Sequence, residues 1–97
     1  MKTLEQIRET IRQNQDSLVE RYGVKVVAIF GSYACSRQRQ DSDIDMLIEI
    51  LHPVSIFEII GAEIYLSELL GSKVDLIPKH DVRPELRDSI FKEAIAI

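Results

Sequence analysis

Gly31-Ser32, followed after a short spacer by Ser42-Asp43-Ile44-Asp45, holds the residue types best suited to chemistry in this chain. If Asp43 and Asp45 open a strand, alternation sends both carboxylates to one face and Ile44 to the other. Asp75 sits in a further apolar run, Lys73 to Pro78, in a position equivalent to that of Asp45. A sheet that aligned these runs would create a three-carboxylate cluster. Such a cluster is costly as mere structure, because like charges raise one another's pKa unless cations neutralise them. Magnesium suits it: the ion prefers oxygen ligands, keeps several waters and is commonly shared between carboxylates and phosphates. Two such ions about 3.5–4 Å apart clamp an in-line phosphoryl displacement. Asp43, Asp45 and Asp75 are therefore the expected catalytic and metal-binding residues. Asp43 and Asp45 would bridge the metals, and Asp75 would bind the catalytic ion and accept the proton of an attacking hydroxyl.

The phosphate-side candidates are Gly31, Ser32, Ser42, Arg37 and Arg39. Gly31 lets the backbone turn sharply and come close to a ligand, and amides after Ser32 can donate to phosphate oxygens. Each has a plainer reading. Asp43 and Asp45 could mark a solvated strand start, Asp75 an exposed strand carboxylate, and Gly31-Ser32 a strand end with a helix cap. Arg37 and Arg39 could be solvated loop charges. It is the combination, not Asp-x-Asp alone, that favours chemistry. Cys35 has no activating neighbour, and His52 and His80 lack metal-ligand spacing, so they are read as incidental and as surface loop residues.

The elements that must position these groups follow from periodicity. From Thr3 to Tyr22, Leu4, Ile7, Ile11 and Leu18 recur at roughly helical spacing; Thr3 and Gln6 form a capping box and Gly23 a stop. Val24 to Phe30 reads as a buried strand. The connection Ser32 to Ser42 is short, so the next strand, Asp43 to Ile50, should run antiparallel to it. Ser55 and Glu58 form a second capping box, leading into a helix with Ile59, Ile60, Ile64, Leu66, Leu69 and Leu70, closed by Gly71. The strand Lys73 to Pro78 should then lie parallel to its predecessor across a right-handed crossover. Pro84 to Ile97 reads as a closing helix with Leu86, Ile90, Phe91 and Ala94 on one face. The fold class is α/β, a small mixed β-sheet flanked by helices, as one domain over residues 1–97.

Composition bounds the partners. The chain has 97 residues, 45% of them hydrophobic, and a formal charge of -4 from 16 acidic and 12 basic side chains, which argues against a broad basic face for nucleic acid. One cysteine cannot form an intramolecular disulfide, and no leader or membrane-spanning run is read, so a cytoplasmic setting is expected. So small a domain has limited area for a deep pocket. A partner or self-association is therefore expected, with the apolar Ala94-Ile95-Ala96-Ile97 as a candidate interface.

The stretch GSYACSRQRQDSDIDMLIEI, with Gly-Ser, a spacer and Asp-x-Asp, resembles the minimal nucleotidyltransferases of the DNA polymerase β superfamily. The resemblance continues through LLGSKVDLIP and RPELRDSIFKEAIAI. It implies a polymerase β palm-like fold and a magnesium-dependent transferase using a nucleoside triphosphate, commonly ATP. It also implies a helical HEPN partner in a toxin-antitoxin module, whose antitoxin adds AMP to a tyrosine of the HEPN toxin. The sequence departs from the family where Arg-Gly commonly follows, since Cys35 and Ser36 stand there; Arg37 or Arg39 could substitute as phosphate contacts. Two alternatives stay open: an antitoxin that acts by binding alone, and a transferase for a small molecule or an RNA end.

Overall fold

The computed structural model describes residues 3–31 and 43–97, so Ser32, Cys35, Ser36, Arg37, Arg39 and Ser42 lie outside the described residues. Local capping sets the helix limits. The Thr3 hydroxyl accepts from the Gln6 amide at 3.1 Å while the Gln6 side chain accepts from the Thr3 amide at 2.8 Å, opening α1 (Leu4–Tyr22). Gly23 closes it at φ 69, a left-handed conformation that glycine adopts without a Cβ penalty. Ser55 and Glu58 form the equivalent box for α2 (Ile56–Leu70), with Gly71 as its C-cap.

The strands are β1 (Val24–Phe30), β2 (Ile44–Ile50), β3 (Val74–Pro78) and β4 (Ile95–Ala96), in the spatial order β3-β2-β1-β4. As the connection lengths predict, β1 and β2 are antiparallel and β2 and β3 parallel. The last two begin one residue later than expected, leaving Asp43 and Lys73 just before their strands. After β3 a 3-10 turn (Lys79–Asp81) leads to α3 (Pro84–Glu93).

The chain end departs from expectation. The closing helix stops at Glu93, and the terminal residues pair antiparallel with β1, where Ile97 N–H donates to Val27 O at 3.2 Å. A sheet edge leaves a row of unpaired backbone groups, and β-branched isoleucines suit strand pairing better than a helix end. The tail is thus largely absorbed: Ile95 and Ile97 are half-buried, and Ile97 packs on the main core. Exposed apolar surface gathers instead on α2, where Ile56, Phe57, Ile60 and Ile64 recur at helical spacing and Phe57 is 79% exposed.

One sheet face is covered by α1 and α2. Ile7, Ile11, Leu18, Ala62, Leu66 and Leu70 pack there on Val26, Ile29, Met46, Ile48 and Leu76. Only a small second cluster, Ala28, Leu47 and Val82, forms on the opposite face, where α3 and the 3-10 turn lie. Glutamine and glutamate side chains seal the strand edges left open. Gln15 of α1 accepts from Val26 N–H at 3.0 Å and donates to Val26 C=O at 2.9 Å, where β4 does not reach.

Candidate active site

A β-bulge in β1 determines which side chains meet the aspartates. Val26 lies opposite Ile48, yet Ala28 lies opposite Leu47, so Val27 is the extra residue. Beyond it the alternation inverts: Ile29 enters the main core, while Phe30, opposite Asp45, joins the less covered face. A regular strand would have pointed Phe30 into the core.

Asp45 and Asp75 are direct partners in the parallel β2–β3 ladder, where neighbouring strands lie about 4.8 Å apart. Their neighbours Ile44, Met46, Val74 and Leu76 are buried in the main core, which leaves the two carboxylates on the opposite face. Asp43 precedes Ile44 at the same end, and its Oδ2 lies 3.9 Å from the Lys73 ammonium. Burial raises the Asp45 carboxyl above its ordinary range, and the negative charges of Asp75 and then Asp43 push it further up.

Asp75 and Asp43 stand near enough to Asp45 for their charges to act on its carboxyl. Among the described residues, no group of three His, Cys, Asp or Glu side chains converges closely enough to hold a metal ion as placed. The donor set still fits a hard divalent cation, since it offers oxygens only and a cation would relieve the repulsion that raises Asp45.

Gly31 adjoins this set. Its φ is 76, and a Cβ there would fall within van der Waals contact of Asp45 Oδ2. Any side chain at this position would strain the turn and displace the carboxylate. The other expected phosphate-side residues, Ser32, Ser42, Arg37 and Arg39, lie outside the described residues.

α2 holds the edge strand that carries Asp75. Ser67 Oγ accepts from Val74 N–H at 3.0 Å and Glu63 Oε2 from Leu76 N–H at 2.8 Å, so the backbone is fastened on both sides of the aspartate. Glu63 also lines a cleft of ≈380 Å³ that contains Asp45 and Asp75. Its other walls come from Phe30 and Ile77 on the sheet and from Asp81, Val82, Arg83, Leu86 and Ile90 around the start of α3. None of Glu63, Lys73 and Arg83 stood out in the sequence. Their role depends on strand pairing and helix docking, although the i, i+4 placement of Glu63 and Ser67 is a retrospective signal. His52 and His80 are exposed, as expected.

Comparison with known proteins gives concordant results. The family profile for the nucleotidyltransferase domain matches residues 4–97. A Methanocaldococcus jannaschii protein, provisionally named a protein adenylyltransferase, is 48% identical over 100% of both chains. The protein adenylyltransferase MntA of Thermococcus cleftensis is 33% identical, over 100% of this chain and 98% of its own. A solved structure, provisionally described as a minimal nucleotidyltransferase, superposes with a TM-score of 0.80 at 31% identity, covering 99% of this chain and 97% of that one. The fold is also that of a chain from a complex of a tri-AMPylated Shewanella oneidensis HEPN toxin with its MNT antitoxin. There the TM-score is 0.63 at 16% identity, over 93% of this chain and 70% of that one.

Proposed function

Because the chain belongs to the nucleotidyltransferase domain family, we propose that it transfers AMP from ATP to a tyrosine hydroxyl of a HEPN toxin, acting as the antitoxin of the pair. The observation that carries this reading is the direct pairing of Asp45 with Asp75 beside a left-handed Gly31 that no side chain could replace without striking Asp45. The relatives named as protein adenylyltransferases support AMP as the transferred group, and the MNT–HEPN complex supports the partner class.

Asp43, Asp45 and Asp75 would hold magnesium, which when bound supplies positive charge that offsets the charge of the transferring phosphoryl group. Gly31 leaves backbone room for the triphosphate, and Ser32, Ser42, Arg37 and Arg39 are the contacts assigned to its oxygens. Asp75 takes the proton from the acceptor hydroxyl. The acceptor oxygen bonds to the α-phosphorus as the bond to the bridging oxygen breaks, and pyrophosphate leaves with that electron pair. Holding both reactants in line is the main task of such a site.

Transfer from α-labelled ATP, with magnesium, to a co-expressed HEPN protein tests this reading. The native chain should label the partner, and Asp43→Ala with Asp45→Ala should reduce labelling to background. Stable binding without label would favour the second reading, an antitoxin that acts by covering its toxin. Cys35 and Ser36, standing where Arg-Gly is common in the family, are the observation that favours it.

A further inference from the structure

The cleft beside Asp75 is lined by two unlike sets of side chains. One is acidic, with Asp45, Asp75, Glu63 and Asp81; the other is apolar, with Phe30 and Ile77 on the sheet and Val82, Leu86 and Ile90 around the start of α3. Arg83 is the one cation among the described lining residues. With Asp45 and Asp75 assigned to magnesium, the charges that remain in the cleft are Glu63 and Asp81 against Arg83, a balance that does not favour a polyanion beyond the metal site. At ≈380 Å³ the cleft lies near the small end of ligand pockets, about 300–1,000 Å³, and suits one ring-bearing group better than a whole nucleotide.

From this juxtaposition of a proton-accepting carboxylate with an uncharged apolar wall, we infer that the wall formed by Phe30, Ile77, Leu86 and Ile90 is the acceptor subsite, seating the ring of a phenolic side chain with its hydroxyl toward Asp75. The inference rests on the transferase reading above and extends it from reaction to acceptor selection. A neutral ring buries apolar area against these side chains and brings no further charge to the carboxylates. An aliphatic hydroxyl such as serine has too little surface to use the wall. Selectivity for tyrosine thus resides in α3 and the end of β1, apart from the aspartates. In the step itself the phenolic proton passes to Asp75, the phenolic oxygen bonds to the α-phosphorus as the bond from that phosphorus to the bridging oxygen breaks, and pyrophosphate leaves with that bond's electron pair.

Leu86 is the residue to vary, because it lines the cleft yet is 48% exposed and lies outside both core clusters. Amide shifts of the full chain would be followed while N-acetyl-tyrosinamide, N-acetyl-serinamide or α,β-methylene-ATP is added. Tyrosinamide should shift the amides of Ile77, Leu86 and Ile90, and serinamide should leave them in place. Leu86→Asp should weaken tyrosinamide at least about tenfold, the scale on which apolar pockets discriminate. Leu86→Met should restore it to within about twofold, and neither variant should alter the affinity for the ATP analogue. Tyrosinamide without effect on these amides would overturn the assignment. So would loss of ATP-analogue affinity in Leu86→Asp, because the wall would then seat the base. Label transfer to the HEPN protein reads the other failure: transfer absent while these shifts persist removes the transferase reading, and transfer intact while they are absent removes the subsite alone.

Discussion

At the scale of single residues, Asp45 is where burial and neighbouring charge act together against an ionised carboxylate. Its carboxyl is raised in the folded chain by burial and by the charges of Asp75 and Asp43, so the folded state holds that proton more tightly than the unfolded state does. Stability is therefore lost as pH rises from the unfolded carboxylate range through the folded value, and the whole penalty is present at neutral pH. Asp45→Asn removes the charge at nearly constant shape. The melting temperature at pH 7 should rise. The gain should fade near pH 4, and AMP transfer should fall to the level of the double aspartate variant. A lower melting temperature at pH 7 would show that Asp45 stabilises the fold instead of straining it.

Among the elements, the edges of the sheet are held by side chains that imitate strands. Gln15 satisfies both backbone groups of Val26, and Ser67 with Glu63 satisfies the amides on either side of Asp75. These clamps act on different things. Gln15 lies on the α1 side, remote in sequence from the aspartates, so Gln15→Ala should cost about 1–3 kcal/mol by leaving partly buried backbone groups unpaired. Denaturant midpoints would register that loss, while transfer at 20 °C, where the fold persists, should remain near native. A large loss of transfer in a chain shown to be folded would mean that β1 position and the site are coupled more tightly than this. Capping was readable because Thr3–Gln6 and Ser55–Glu58 are local patterns. The clamps were not, because a glutamine within a helix gives no local sign of which strand it will reach.

The molecule as a whole divides its labour between two sheet faces. The face under α1 and α2 supplies most of the core, and the sparsely covered opposite face carries the aspartates and the cleft. A cation that binds the folded chain alone stabilises it by mass action, about 2.7 kcal/mol at one hundred times its Kd. Magnesium should accordingly raise the melting temperature at pH 7, chelation should reverse the rise, and Asp43→Ala with Asp45→Ala should abolish it. An equal rise in the variant would place the ion elsewhere. What the sequence determined by itself were the features set by near neighbours: helix caps, the period of the runs before the chain end, and the antiparallel and parallel senses implied by short and crossover connections. Tertiary structure decided the rest. The bulge at Val27 inverts β1 so that Phe30 meets Asp45, and the terminal isoleucines become an edge strand because β1 has an open side. Leu86 and Arg83 reach the cleft because α3 docks over the aspartate face. Each of these outcomes depends on pairing between residues far apart in the chain, and local spacing holds no record of that energy.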